Sequence, residues 1–231
     1  MLHHALIVAS GIGHRFGTEI PKQFLPLCGK PVLMHSMEAF FKFQKNIQLI
    51  VIVPENRISF WNNLCHQHHF FLPHKVVGGG NTRFHSVLHG LERLRSEQGI
   101  VAIHDGVRPL VSTRILQEGY TQAAAKHSAV PVLPLSHSLR KWISQKKTTS
   151  CPREKYCISQ TPQFFDLGRL YLAFQHLNSS PKKPPTDEAA VWEAHGHNVN
   201  TFQGDPHNIK ITYPHELRWA EVYLSENSKN L

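Results

Sequence analysis

Five short apolar runs punctuate the first 135 residues, and no other feature limits the possible folds so strongly. They are Ala5–Ala9, Gln48–Pro54, Lys75–Gly78, Ile100–His104 and Ala129–Leu135, most of them rich in Ile and Val. Unbroken apolarity suits a strand covered on both faces, as in a parallel sheet. The segments between them, at about 31–43, 55–68, 82–96 and 112–127, have helical length. In the first, Val32, Leu33, Met37, Phe40 and Phe41 fall along one helical stripe. A βαβα order of this kind predicts an open α/β sheet with right-handed crossovers. Ligands of such sheets bind beyond the carboxyl ends of the strands.

The break after the first run reads Gly11-Ile12-Gly13-His14-Arg15, with Lys22 further on in Pro21-Lys22-Gln23. Gly11 and Gly13 let backbone N–H groups approach an anion closely, a common way to hold phosphate. A dinucleotide fingerprint needs a third Gly at position 16, which is Phe, and a Walker loop needs G-K-[ST], which is absent. What remains is a loop with two cations, Arg15 and Lys22, that can grip one polyphosphate from two sides.

Later breaks carry further candidates. His104-Asp105 ends a run, and a carboxylate there is placed to hold Mg²⁺, which takes one or two carboxylates plus substrate phosphates. The alternative is an Asp that caps a loop or pairs with Arg108. Gly78-Gly79-Gly80-Asn81-Thr82 leaves room for a flat base, or else is a tight turn with Asn81 or Thr82 as helix N-cap. Asn208-Ile209-Lys210-Ile211-Thr212 puts Lys210 in an expected short strand, where a phosphate would explain it.

Composition narrows the partners. The net charge is +9, which suits nucleic acid or a small phosphorylated substrate. The Lys and Arg residues are spread along the chain without a basic tail, favouring the small substrate over nucleic acid. Cys28, Cys65, Cys151 and Cys157 form no C-x₂-C pair, so reduced thiols in a cytoplasmic protein are expected. His3-His4 and the histidines at 66, 68 and 69 lack metal-ligand spacing and are expected on the surface. No apolar run approaches the ~20 residues needed to span a bilayer, and the amino terminus reads as a first strand, so no membrane role is expected.

Residues 136–160 break the alternation with a polar stretch that reads as a β-hairpin arm of the kind that pairs with a second subunit. Beyond it, helices are expected at about 166–177, at 187–195 and from 214, with short strands near 198–203 and 208–212.

Six segments together resemble one family. They are Gly11-x-Gly13-x-Arg15 with Pro21-Lys22-Gln23, Gly79-Gly80-x-x-Arg83-x-x-Ser86-Val87, His104-Asp105-x-x-Arg108-Pro109, Thr161-Pro162-Gln163, Thr186-Asp187-Glu188-Ala189 and Asn208-x-Lys210. Their order is similar to that in 2-C-methyl-D-erythritol 4-phosphate cytidylyltransferases of the non-mevalonate isoprenoid pathway. The resemblance implies one Rossmann-like nucleotidyltransferase domain over 1–231, mostly parallel, with an arm for homodimerisation inserted at about 136–160. It implies CTP and a polyol phosphate as substrates, with Mg²⁺ or another divalent cation. Arg15, Lys22 and Lys210 would be catalytic, the first two over the triphosphate. Ala9, Ser10, Gly11, Gly13, Gly80, Asn81, Ser86 and Asp105 would bind CTP, with Asp105 on the metal. Arg108, Ser138, Arg153, Thr161 and Thr186 would surround the polyol phosphate, Ser138 and Arg153 reaching it from the other subunit.

Three positions depart from the pattern. Asn81 stands where an Asp is common, and keeps an oxygen acceptor for the cytosine amine. His207 stands where an acid often precedes Asn-x-Lys, leaving Asp205 as the near substitute, and Ser138 replaces a Thr while retaining its hydroxyl. The alternative activity is cytidylyl transfer to another polyol phosphate, such as ribitol 5-phosphate.

Overall fold

A computed structural model describes residues 1–11, 16, 20–178 and 185–227. The chain begins with β1 (His3–Val8), a small antiparallel pair β2 (Pro26–Leu27) and β3 (Lys30–Pro31), and α1 (Val32–Phe43). It continues through β4 (Gln48–Val53), α2 (Ile58–Gln67), β5 (Lys75–Gly78), α3 (Arg83–Glu92), β6 (Ile100–Asp105), α4 (Thr113–Lys126) and β7 (Ser128–Pro134). Then come β8 (Leu139–Ser144), β9 (Lys147–Cys151), β10 (Cys157–Ser159), β11 (Gln163–Asp166) and α5 (Leu167–Asn178). The last elements are α6 (Glu188–Ala194), β12 (Thr201–Gln203) and α7 (Pro214–Asn227).

Among the described residues one sheet runs in the order β10-β7-β11-β6-β1-β4-β5, with β12 pairing along β7. β5, β4, β1 and β6 are parallel, as the apolar runs predict. The chain winds outward from β1 through β4 to β5, then returns to place β6 on β1's other edge. The reversal makes the carboxyl ends of β1 and β6 a topological switch point, where such sheets leave a crevice.

Alternate residues of each strand enter opposite cores. Ala5, Ile7, Leu49, Val51 and Val53 meet α1, α2 and α4 through Met37, Phe40, Trp61, Ile115 and Leu116. Leu6, Val8, Ile50, Ile52, Val101 and Ile103 meet α3, α5 and α6 through Val87, Leu91, Phe174 and Trp192. Each Val, Leu, Ile, Phe or Met among them, fully buried, contributes roughly 1.5–3 kcal/mol. A third cluster seats α7 against Leu27, Val32, Val107 and Ile211, which brings the 208–212 segment beside β6's carboxyl end.

The structure corrects several expectations. Residues 208–212 form no strand: Ile211 N–H bonds Val107 O at 2.9 Å, but no ladder follows. The helix expected to 96 ends at Glu92, because the next amides bond carbonyls three residues back, as Leu94 does to Leu91. β11 runs antiparallel between β6 and β7, a strand that its brevity hid. His4 is not a surface residue, and His3 is half-buried. His4 is buried, bonding Gln48 Oε1 and Gln98 O at 2.9 Å each, and His3 stacks on Tyr120.

Residues 139–151 form a two-stranded antiparallel hairpin, β8 with β9, that pairs with no other described strand. Trp142 and Ile143 on it are exposed.

Candidate functional site

A cavity of about 610 Å³ opens at the switch point. It is lined by Val8 to Gly11 after β1, Pro54 and Glu55 after β4, Gly79 to Arg83 after β5, and Asp105 and Val107 at β6. Lys22, Gln23, Ser86 and Lys210 complete it. The volume falls within the range for small-molecule sites.

Hydrogen bonds fix the walls. Gln23, buried in the 3₁₀ turn Lys22–Phe24, donates through Nε2 to Ala9 O at 2.7 Å and Gly11 O at 2.8 Å. That one amide ties residues 9 and 11 to the turn that carries Lys22. Across the cavity, Ser10 Oγ donates to Ser86 Oγ at 2.8 Å. Ser86 Oγ also accepts the Gly80 N–H at 3.1 Å and donates to Thr82 O at 2.9 Å. The loops after β1 and β5 are thus joined through one hydroxyl. Gly79 is needed at this junction, since a Cβ there would stand 2.4 Å from that of Ser10.

The floor is ionic. Asp105 Oδ2 lies 2.8 Å from Lys210 Nζ and 3.7 Å from Arg108 Nε, and Oδ1 lies 3.4 Å from Arg83 Nη2. Burial alone would raise the Asp105 carboxyl, but Arg83, Lys210 and Arg108 outweigh it and hold it well below the usual carboxylate range. Arg83 also grips Glu188, with Nη1 on Oε1 and Nη2 on Oε2, the latter at 3.0 Å. Arg108 Nη1 donates to Asn208 O at 2.7 Å, whereas its buried Nε finds no hydrogen-bond partner among the described residues.

Beneath Asp105 the polar groups are paired in one direction. His104 Nε2 faces Arg108 O at 3.0 Å and so carries the proton, because a carbonyl only accepts. Nδ1 is then the acceptor for the Thr161 hydroxyl at 3.3 Å, and Thr161 Oγ1 accepts the Asp105 N–H at 3.0 Å. Burial pushes the His104 imidazole down to about 4, so it is neutral at pH 7. Thr161 reaches this place because β11 runs antiparallel: the residues before it lie at β6's carboxyl end.

Of the expected site residues, Ala9, Ser10, Gly11, Lys22, Gly80, Asn81, Ser86, Asp105 and Lys210 gather around the cavity. Arg108 and Thr161 sit beneath it, in contact with Asp105. Gly13 and Arg15 lie outside the described residues. Ser138 and Arg153 do not line the cavity; Ser138 is exposed and Arg153 donates to Ser136 O at 3.0 Å near the base of the hairpin. Thr186 is exposed and is not in the lining, two residues before Glu188. His207 and Asp205 bond each other at 3.1 Å and also stand outside the lining.

Four site residues were missed from sequence. Glu55 carried a signal, as it follows a strand's carboxyl end. Gln23, Arg83 and Glu188 lie inside quoted motifs, but their roles depend on partners that only the fold brings near.

The donor set suits Mg²⁺ in one way. Asp105 and Glu55 are the carboxylates of the lining, and no group of three or more His, Cys, Asp or Glu able to hold a metal occurs among the described residues. Mg²⁺ is commonly held by one or two carboxylates plus substrate phosphates, and the cavity offers Asp105 beside Lys210, a cation that attracts phosphate.

The family model described as IspD, 2-C-methyl-D-erythritol 4-phosphate cytidylyltransferase, matches residues 3–226. A protein of Phocaeicola vulgatus with that enzyme name is 41% identical over 224 residues, covering 97% of this chain and 100% of its own. One from Halalkalibacterium halodurans is 32% identical over 229 residues, covering 99% and 100%. The crystal structure of the Thermus thermophilus enzyme superposes with a TM-score of 0.80 at 28% identity, covering 96% of this chain and 98% of that one.

Proposed function

The chain belongs to the 2-C-methyl-D-erythritol 4-phosphate cytidylyltransferase family, and from that premise we propose how its cavity performs the family's reaction. CMP passes from CTP to 2-C-methyl-D-erythritol 4-phosphate, giving 4-diphosphocytidyl-2-C-methyl-D-erythritol and pyrophosphate. The observation that carries this reading is the convergence of Lys22, Lys210 and Asp105 on one cavity whose other wall is the small-residue loop Gly79–Asn81.

The base enters between that loop and Ser10, where small side chains leave a flat slot and Asn81 offers an amide oxygen to the cytosine amine. Lys22 lies against the triphosphate, and Arg15, outside the described residues, is the second cation assigned to it. The acceptor phosphate, already an anion at pH 7, attacks the α-phosphorus in line, so no general base is required. The protein's part is positioning and charge stabilisation. Lys210, two-fifths exposed on a flexible stem, reaches the phosphates from Asp105. Arg108, beside Asp105 beneath the cavity, is assigned to the acceptor phosphate. Asp105 holds Mg²⁺ when it is bound, and the ion's chemistry is to neutralise charge on the triphosphate and on departing pyrophosphate.

Thr161 has its hydroxyl proton committed to His104, so it offers the acceptor only a lone pair. Thr186 lies at the edge of this acceptor side. Ser138 and Arg153 stand away from the cavity of their own chain and serve the cavity of a second copy. The exposed Trp142, Ile143, Tyr156 and Ile158 around the hairpin support a homodimer built through it. The whole of 1–231 acts as one catalytic unit in the cytoplasm, in keeping with four free cysteines. No helix among the described residues is long and apolar enough to cross a membrane.

The test is pyrophosphate release with Mg²⁺, comparing the methylerythritol and ribitol phosphates as acceptors and CTP with UTP as donors. Release with CTP and methylerythritol phosphate alone is expected. Release with ribitol 5-phosphate alone would keep the mechanism and change the acceptor; no release with any pair would overturn the reading.

A further inference from the structure

We propose that Arg83 is a positioning residue for Asp105, anchored by Glu188, and that this pair keeps the Asp105 carboxylate turned into the cavity when phosphates arrive. The proposal rests on the reading of Asp105 as the carboxylate that meets the nucleotide's divalent cation.

Asp105 has three cationic neighbours, and they are not equivalent. Lys210 is 40% exposed and touches it through one ammonium on a flexible stem. Arg108 stands 3.7 Å away with its Nε unbonded among the described residues. A polyphosphate in the cavity competes for Lys210, which lines it on a mobile stem, whereas Arg108 lies beneath the lining and reaches Asp105 only at long range. Arg83 is different. It occupies the first turn of α3, whose start is fixed by Thr82 accepting the His85 N–H at 3.3 Å. Its guanidinium meets both oxygens of Glu188, whose side chain is 1% exposed. Losing Arg83 would leave that carboxylate buried without a counter-charge, so Glu188 does not release it to a passing phosphate.

Glu188 is itself held on a rigid frame. It opens α6 directly after Asp187, whose Oδ1 accepts the Ala190 N–H at 3.1 Å. Gln163 at the start of β11 donates to Asp187 Oδ2 at 3.0 Å and accepts the Ala189 N–H at 2.8 Å. With its fork spent on Glu188, Arg83 turns Nη2 toward Asp105 Oδ1 at 3.4 Å, too long for a strong bond but close enough to set charge and direction. A guanidinium can face two carboxylates with fixed geometry; an ammonium cannot do so in the same way.

The test uses the full-length enzyme with Arg83→Lys, Glu188→Gln and the exchange Arg83→Glu/Glu188→Arg. Mn²⁺ serves as the metal probe, its binding to the enzyme with CTP followed by electron paramagnetic resonance, beside kcat, KM for the acceptor and Tm. Arg83→Lys and Glu188→Gln are each expected to weaken Mn²⁺ binding and lower kcat by about 10–100-fold, the range for partners that orient a metal-holding group, with acceptor KM within about twofold. The exchanged pair restores Tm but not Mn²⁺ binding, because a carboxylate would then face Asp105. Mn²⁺ binding and kcat within about twofold of wild type in the single variants, with only Tm lowered, would overturn the proposal. So would recovery of both Tm and Mn²⁺ binding in the exchange. If wild type releases no pyrophosphate while Mn²⁺ binding still responds as expected, the reaction assignment fails and the role of Arg83 stands.

Discussion

The cavity floor and the hairpin are both polar in sequence, and they are organised in opposite ways. On the floor, Arg83, Asp105, Thr161, Glu188 and Lys210 come from five separate segments and are closed by short polar contacts among themselves. Asp105 and Thr161 are 6% and 5% exposed. In the hairpin, β8 and β9 satisfy each other's backbone, and Trp142 stands 69% exposed. A lone two-stranded hairpin is marginal in water. The difference teaches which contacts the chain completes alone: the floor's carboxylates pair with cations within the molecule, while Trp142 and Ile143 of the hairpin stay exposed on it.

That contrast can be broken from its strong side first. Asp105→Asn removes the shared anion and leaves Arg108 and Lys210 facing one another; urea unfolding is expected to show a loss of about 3 kcal/mol, together with loss of pyrophosphate release. Unchanged stability would mean that the floor is held by packing alone. Lys22→Ala is expected to cost about 10²–10³ in kcat, the effect of losing one preorganised stabilising group, with folding intact. A steady-state loss under about threefold would remove Lys22 from its role.

His104 sharpens the comparison through pH. Its folded value is about 4 against an ordinary 6.5, so the unfolded chain binds more protons between these values. Stability from this residue is therefore complete above about 6.5 and lost as pH falls toward 4. Between about pH 7.5 and about pH 5 it accounts for a loss of about 2 kcal/mol, and His104→Gln should flatten the urea-unfolding profile by that amount. An equally steep profile in the variant would assign the acid sensitivity elsewhere. The smallest effect on folding belongs to the hairpin. Trp142→Ser with Ile143→Ser should leave monomer stability within about 0.5 kcal/mol while sedimentation shifts from dimer to monomer. A large loss of stability would show that the hairpin leans on its own chain after all.

The sheet was legible because both-face burial writes continuous Ile and Val into β1, β4 and β6, and the end of β6 named Asp105 without further help, whereas Ser10 came only through the family resemblance. Lys22 was legible as a cation beside the Gly-rich break, and Lys210 as a Lys in an apolar segment, although the strand expected around Lys210 is absent: one bond to Val107 and an apolar seat for Ile211 hold that segment instead. Gln23 was harder to read, since its work is to bind carbonyls at residues 9 and 11 that only the turn brings near. β11 escaped because Gln163–Asp166 is too short to alternate and runs directly into a helix. Arg83 and Glu188 are 105 residues apart, and no local pattern joins them.

That separation has a consequence in time. A ribosome makes the chain from its amino end, so the opening loop, Lys22 and Asp105 emerge while Glu188 and Lys210 are still unmade. Until α6 appears, Arg83 has no anchor; until the segment at 210 appears, Asp105 lacks its nearest cation. The opening segment is among the first parts synthesised, and the residues that complete the cavity floor are among the last.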